Sequence, residues 1–199
     1  MVAVGLIAAV MLVGFSSTPT PSSATSQDLN DPPTCWVRGD RADLELRISP
    51  FDSTSTTLDG HTLKVCYSRS RALGRPIMGR LVPFGSPWRL GANEATILHT
   101  PVSIMLGDLH VSPGSYSLHA MPDSAEWGLT VNGNVQRWGV PISPEVLEAD
   151  LGFAVAPVER LAEPVELFTI RLERNDSKVD LVIEWELTRI RFPIRLGMP

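Results

Sequence analysis

The stretch Val102-Ser-Ile-Met-Leu-Gly-Asp-Leu-His-Val-Ser-Pro-Gly-Ser-Tyr-Ser-Leu-His-Ala-Met-Pro-Asp-Ser-Ala-Glu-Trp-Gly-Leu-Thr-Val-Asn-Gly133 decides the fold class. Val102, Ile104 and Leu106 hold every second position, and Gly107-Asp108 then offers a tight turn to Leu109 and Val111. Ser112-Pro113-Gly114 is the next turn. After it Tyr116, Leu118 and Ala120 face one way until Met121-Pro122-Asp123 ends the strand. Trp127, Leu129 and Val131 alternate with Glu126, Gly128, Thr130 and Asn132, and Asn132-Gly133 closes the run. A period of two, interrupted repeatedly by turn residues, reads as a meander of short antiparallel strands.

The pattern extends both ways. Upstream, Leu44, Leu46 and Ile48 alternate with Asp43, Glu45 and Arg47, while Leu63, Val65 and Tyr67 follow an Asp59-Gly60 turn. Downstream, Phe168, Ile170 and Leu172 resume it. Val179, Leu181, Ile183, Trp185 and Leu187 hold odd positions, but Ile190, Phe192, Ile194 and Leu196 hold even ones. One extra residue in a continuing strand inverts parity in this way, so a β-bulge or sharp bend is expected at Thr188-Arg189. Arg189, Arg191 and Arg195 then line the outward face, where acidic neighbours pair with them. The only helical signal is Pro141 to Asp150, with Ser143 as N-cap and Pro144 at the first helical position. The expected architecture is all-β, an antiparallel two-sheet β-sandwich of jelly-roll type with at most one short helix.

Gly74 to Thr96 interrupts this regularity. Glycines at 74, 79, 85 and 91 and prolines at 76, 83 and 87 prevent a helix or central strand from propagating. Ile77, Leu81, Val82, Phe84, Trp88 and Leu90 nevertheless give it the apolar mass of an ordered loop. Its polar members are the candidate ligand-binding residues: Arg75, Arg80, Arg89, Asn93 and Glu94, with Trp88 as a stacking face. Converging on a cleft, they would hold a small anionic or sugar-like ligand. The alternative is internal: Glu94 pairs with one arginine and the others cap loop carbonyls. Glu94 is also the one candidate for an acid or base, with Asp108, Asp123 or Glu126 as the second carboxylate that the fold could bring near.

The 199 residues, 43% of them hydrophobic, suffice for one domain with a real core. A net charge of −5 supplies no cationic surplus for phosphates, which excludes nucleic acid as a natural partner. Met1 to Phe15 is an apolar run followed by small residues, with Ser22 and Ala24, or Ala24 and Ser26, at cleavage positions. It reads as an export signal over 1–26, although Lys and Arg are absent before Arg38. The run is too short for a stable membrane span. A flexible leader over 27–41 and one domain over 42–197 follow. Cys35 and Cys66 either pair, as an oxidising compartment favours, or act as two separate small hydrophobes. Two thiols are too few for a structural zinc site, and His61, His99, His110 and His119 are expected to face solvent on strands. No metal or cofactor is expected: the chain has no phosphate-cradling glycine loop and no Gly-x-Ser-x-Gly elbow.

A succession of motifs resembles the exported bacterial proteins catalogued as domain of unknown function 2911. They are Ser49-Pro50, Tyr67, Gly74-Arg75-Pro76, Gly79-Arg80, Val82-Pro83-Phe84-Gly85, Trp88-Arg89, Gly91-Ala-Asn-Glu-Ala-Thr96, Gly114-Ser-Tyr-Ser-Leu118 and Trp138-Gly139. Their order makes the resemblance specific over most of residues 47 to 190. Two departures stand out. Ser68 to Leu73 stands between Tyr67 and Gly74, so either the loop is longer or Arg69 is the counterpart of the family's arginine, and Phe51 stands where a His often follows Ser-Pro. The resemblance implies an exported, mostly β domain and no particular activity. The reading is therefore an exported ligand-binding or interaction module working through the central loop. Its alternatives are a hydrolase or lyase acting on carbohydrate or cell envelope with Glu94 as acid or base, and a structural envelope protein whose loop plugs the core.

Overall fold

Turn chemistry places the strand breaks. Asp59 and Gly60 both take positive φ (50° and 80°) and join β1 (Phe51–Leu58) to β2 (His61–Ser68) in a tight antiparallel hairpin. The computed structural model describes Met1, residues 32–175 and residues 178–197; the export-signal reading and the start of the leader lie outside the described residues. Beyond the central loop come β3 (Thr96–Thr100), β4 (Ile104–Leu106), β5 (Leu109–Val111), β6 (Gly114–Pro122) and β7 (Glu126–Asn132). A four-residue helix, α1 (Pro144–Leu147), precedes two long strands, β8 (Asp150–Asn175) and β9 (Lys178–Leu196).

The chain is all-β and every strand pairing is antiparallel, but the expectation of two separate sheets is corrected. The strands join in one open nine-stranded sheet in the order β1-β2-β3-β6-β7-β8-β9-β4-β5. β8 is the reason. Its first residues, Asp150 to Pro157, pair with β7, whereas Val158 to Asn175 pair with β9, so one strand belongs to both halves. Residues 150–157 carry no conventional signal because their polarity is inverted: Ala154 and Ala156 point into the core while Leu151, Phe153 and Val155 stand exposed.

The parity inversion in β9 exists, two residues earlier than expected. Ile183 and Trp185 are buried before it, Ile190 and Phe192 after it, and Glu186 between them has φ 53°. The pairing with β8 shifts there, from Thr169↔Glu184 to Val165↔Glu186 and Arg160↔Thr188. Glu186 is held in this left-handed conformation from outside the strand, because its carboxylate accepts the N–H groups of Ile77 and Met78 (3.3 and 3.4 Å).

The two halves bury one hydrophobic cluster, including Val65, Tyr67, Leu98, Leu118, Trp127, Phe168, Leu181 and Phe192. Each such side chain contributes roughly 1.5 to 3 kcal/mol of burial. Hydrogen bonds tie the end of β2 and the segment after it to the middle of β8: Phe168 N–H to Ser70 C=O (2.8 Å), Ala72 N–H to Glu166 C=O (2.9 Å) and Tyr67 O–H to Ile170 C=O (3.1 Å).

Two further expectations change. The alternation of Leu44, Leu46 and Ile48 builds no strand: Arg41–Leu46 is a 3-10 helix, so the fold has two short helices. Asp40 caps it by accepting the Ala42 N–H (2.9 Å), and Leu46 and Ile48 are left largely exposed with no sheet to bury them. Residues 32–41, read as leader, are fastened to the domain through a Cys35–Cys66 disulfide and through the Lys64 ammonium, which donates to Pro33 C=O (3.4 Å). Among the described residues no helix is long and apolar enough to cross a membrane.

Candidate functional site

The central segment is built into the protein. Trp88 exchanges both backbone hydrogen bonds with Ala120 of β6 (2.7 and 2.8 Å). Its indole stacks on Trp185 (5.8 Å between centroids) and meets Trp127 and Phe168 edge-on (5.7 and 5.2 Å). The ring expected to offer a stacking face to a ligand is thus packed among core aromatics. Asn93 to Ala95 lie against Arg137 to Gly139: Gly139 N–H donates to Asn93 C=O (2.7 Å) and Ala95 N–H to Arg137 C=O (3.2 Å).

Glu94 is 3% exposed, and both its oxygens are engaged. The Arg47 guanidinium donates to Oε2 (2.7 Å) and Oε1 (3.0 Å), and the Arg38 N–H donates to Oε1 (2.8 Å). Arg47 lies 47 residues away and was read as the polar face of a strand; no local pattern announces the pair. The arginines of the loop go elsewhere. Arg89 donates to Gly91 C=O (2.9 Å), and burial lowers its pKa. Arg75 caps Ala72 and Arg71 carbonyls (2.9 and 2.7 Å) on an exposed turn, Arg80 is exposed, and the Asn93 amide donates to Ser49 C=O (3.4 Å). A cleft of about 320 Å³ adjoins Arg75, Pro164, Glu166 and Glu186. Its charged groups are already committed, since Glu166 accepts the Leu73 N–H (2.9 Å) and Glu186 holds Ile77 and Met78.

A different polar assembly lies on the outer face of the sheet. Register sets it: Lys64, His99 and Ser115 form one cross-strand row, and Cys66, Ile97, Ser117 and Asn132 the next. Because Val65, Leu98 and Leu118 point inward, these residues point outward. The expectation that the histidines face solvent is corrected for two of them: His99 is 7% and His119 3% exposed. Beside this face lie the disulfide-anchored segment around Cys35 and residues of the β7–β8 connection; Val135 packs with Cys35, Cys66 and Ile97. Arg137 donates to Ser117 Oγ (3.4 Å). Asn132 donates to Asp150 (2.8 Å), and His119 Nε2 stands 3.6 Å from the same carboxylate.

His99 Nδ1 lies 2.6 Å from Ser115 Oγ. Burial, reinforced by the Lys64 charge, pushes the His99 pKa down to about 4, so its imidazole is neutral at neutral pH. Burial also lowers His119, more strongly than Asp150 raises it. Five buried side-chain polar atoms among the described residues lack a partner, and three belong to this assembly: His99 Nε2, His119 Nδ1 and Arg137 Nε. Two clefts of about 170 and 140 Å³ share Pro33, His99 and Ser115 as walls. Alternation did not report His99, because every residue of the strand that carries it, Thr96–Thr100, is buried.

The family model described as a protein of unknown function, domain of unknown function 2911, matches residues 49–194. The chain belongs to this family. The match runs from just before β1 into β9 and takes in Glu94, His99 and Ser115. No curated protein and no solved structure matches the chain.

Proposed function

We propose that this family member is an exported binding module whose ligand seat is the cleft at His99 and Ser115, and that the central loop serves as an internal fastener. The Cys35–Cys66 disulfide and the apolar run Met1 to Phe15 support export. The observation that carries the seat is the buried His99 imidazole, engaged through Nδ1, unpartnered at Nε2 and bordering both clefts. A buried ring nitrogen without a partner is costly, and a ligand atom would offset that cost.

The setting favours binding over hydrolysis. A serine beside a histidine suggests nucleophilic catalysis, but an imidazole with a pKa of about 4 is a weak base at neutral pH. Glu94, the sequence-level acid or base, already accepts three hydrogen bonds from its own chain. The test is histidine-selective NMR of the purified protein against a set of phenol- and pyranose-sized fragments. Binders should move the His99 ring signals, and His99→Phe should abolish their binding without unfolding the domain. Fragments that bind while leaving His99 unmoved, or that map to Arg75 and Arg80, contradict the proposal.

A further inference from the structure

Resting on that seat, we infer that the ligand is a small carboxylate carrying an apolar body the size of a single ring. The cleft walls hold hydroxyls at Thr62 and Ser115, a third at Thr100 that donates to Val102 C=O (2.6 Å), and an amide at Gln136, and among the described residues they include no Asp or Glu. Lys64 sits directly across from His99 on β2, and its charge acts on the imidazole. The immediate field is therefore positive in a protein whose net charge is −5. Clefts of about 170 and 140 Å³ suit a benzene-sized body, and Trp36, Ile97, Val135 and Pro33 supply its apolar contacts.

The imidazole adds a directional element. A carboxylate accepts and does not donate, so at Nε2 it selects the tautomer with the proton on that nitrogen. Nδ1 then accepts from the Ser115 hydroxyl, which fits the 2.6 Å contact already present. Ser115 thus positions the ring and His99 meets the anion, while Lys64, which lines neither cleft and donates to Pro33 C=O, acts through its charge.

Benzoate and benzyl alcohol, equal in ring size and different in charge, separate the inference from the seat it rests on. Each is titrated at neutral pH into protein with ¹⁵N-labelled histidine. Benzoate should move His99 saturably and fix the proton on Nε2, and benzyl alcohol should bind about tenfold more weakly. Lys64→Gln should erase that preference while leaving the fold intact. If benzyl alcohol binds as well as benzoate, or Lys64→Gln leaves benzoate affinity unchanged, the carboxylate inference falls and the seat stands. If neither compound moves His99 at millimolar concentrations, the seat itself falls.

Discussion

Glu94 and His99 lie five residues apart and show how the same burial serves opposite ends. The Glu94 carboxylate is buried with a forked guanidinium and a backbone N–H around it, so an amide in its place sets an N–H₂ donor against donors and leaves the Arg47 charge unpaired. Glu94→Gln should destabilise the domain by roughly 3 kcal/mol, read as a drop in thermal midpoint. With Arg47→Gln the double variant should lose less than the sum of the singles. His99 is buried without a charge partner, and its ionisation opposes folding. The folded pKa of about 4 lies below the unfolded value near 6.5. The penalty is therefore absent above about pH 6.5, grows as pH falls and is complete below about pH 4, where it reaches on the order of 3 kcal/mol. NMR titration should show His99 neutral at pH 5, and His99→Gln should flatten the acid side of the stability profile. The glycine-rich segment could be read as ordered and its arginines named, but the partner of Glu94 could not: the decisive contact spans 47 residues and starts from the residue that ends a 3-10 helix, which alternation disguised as a strand.

At the scale of elements, the central loop is fixed by places where a side chain does not fit. Gly91 has φ 137°, and a Cβ there would stand 2.8 Å from the Ser68 carbonyl oxygen, a backbone atom that cannot swing away. Gly91→Ala should cost roughly 2 kcal/mol or more in chemical denaturation, without changing the clefts at His99. In β8 and β9 Arg189 and Arg191 find the acidic neighbours expected of them, whereas Arg195 donates to Gly107 C=O instead (3.4 Å). Arg171 and Arg189 both bind the buried Glu184 (2.8 and 2.5 Å), and Arg191 binds Glu173 (2.8 Å). Burial alone would raise the Glu184 carboxyl, but those hydrogen bonds outweigh it and hold its pKa below the ordinary value. Its contribution is present above the unfolded pKa and is lost as pH falls through the folded one, so Glu184→Gln should lose most stability near neutral pH and least in acid. The parity inversion in β9 was legible from Trp185 and Ile190, although the surplus residues of the register shift lie in β8, between Arg160 and Thr169. Its position was not, because Glu186 is set by the N–H groups of Ile77 and Met78.

For the whole molecule, one sheet folded through β8 and β9 replaces the expected pair of sheets, and the Cys35–Cys66 bond anchors the N-terminal segment beside its outer face. The period of two revealed strands and their inward residues. It was silent where large side chains point outward, as at Phe153, and where one strand serves both halves. Replacing both cysteines with alanine should cost about 3 to 4 kcal/mol from the 31-residue separation and weaken ligand binding at His99, since Pro33 and Trp36 would lose their anchor. The account depends most on the central segment being interior structure. Amide hydrogen exchange at Trp88, Ala92 and Ala95, which donate to Ala120, Ser68 and Arg137 carbonyls, tests this directly. Protection comparable to that of β6 and β7 is the predicted result; exchange at the rate of an open, solvent-exposed loop would contradict it.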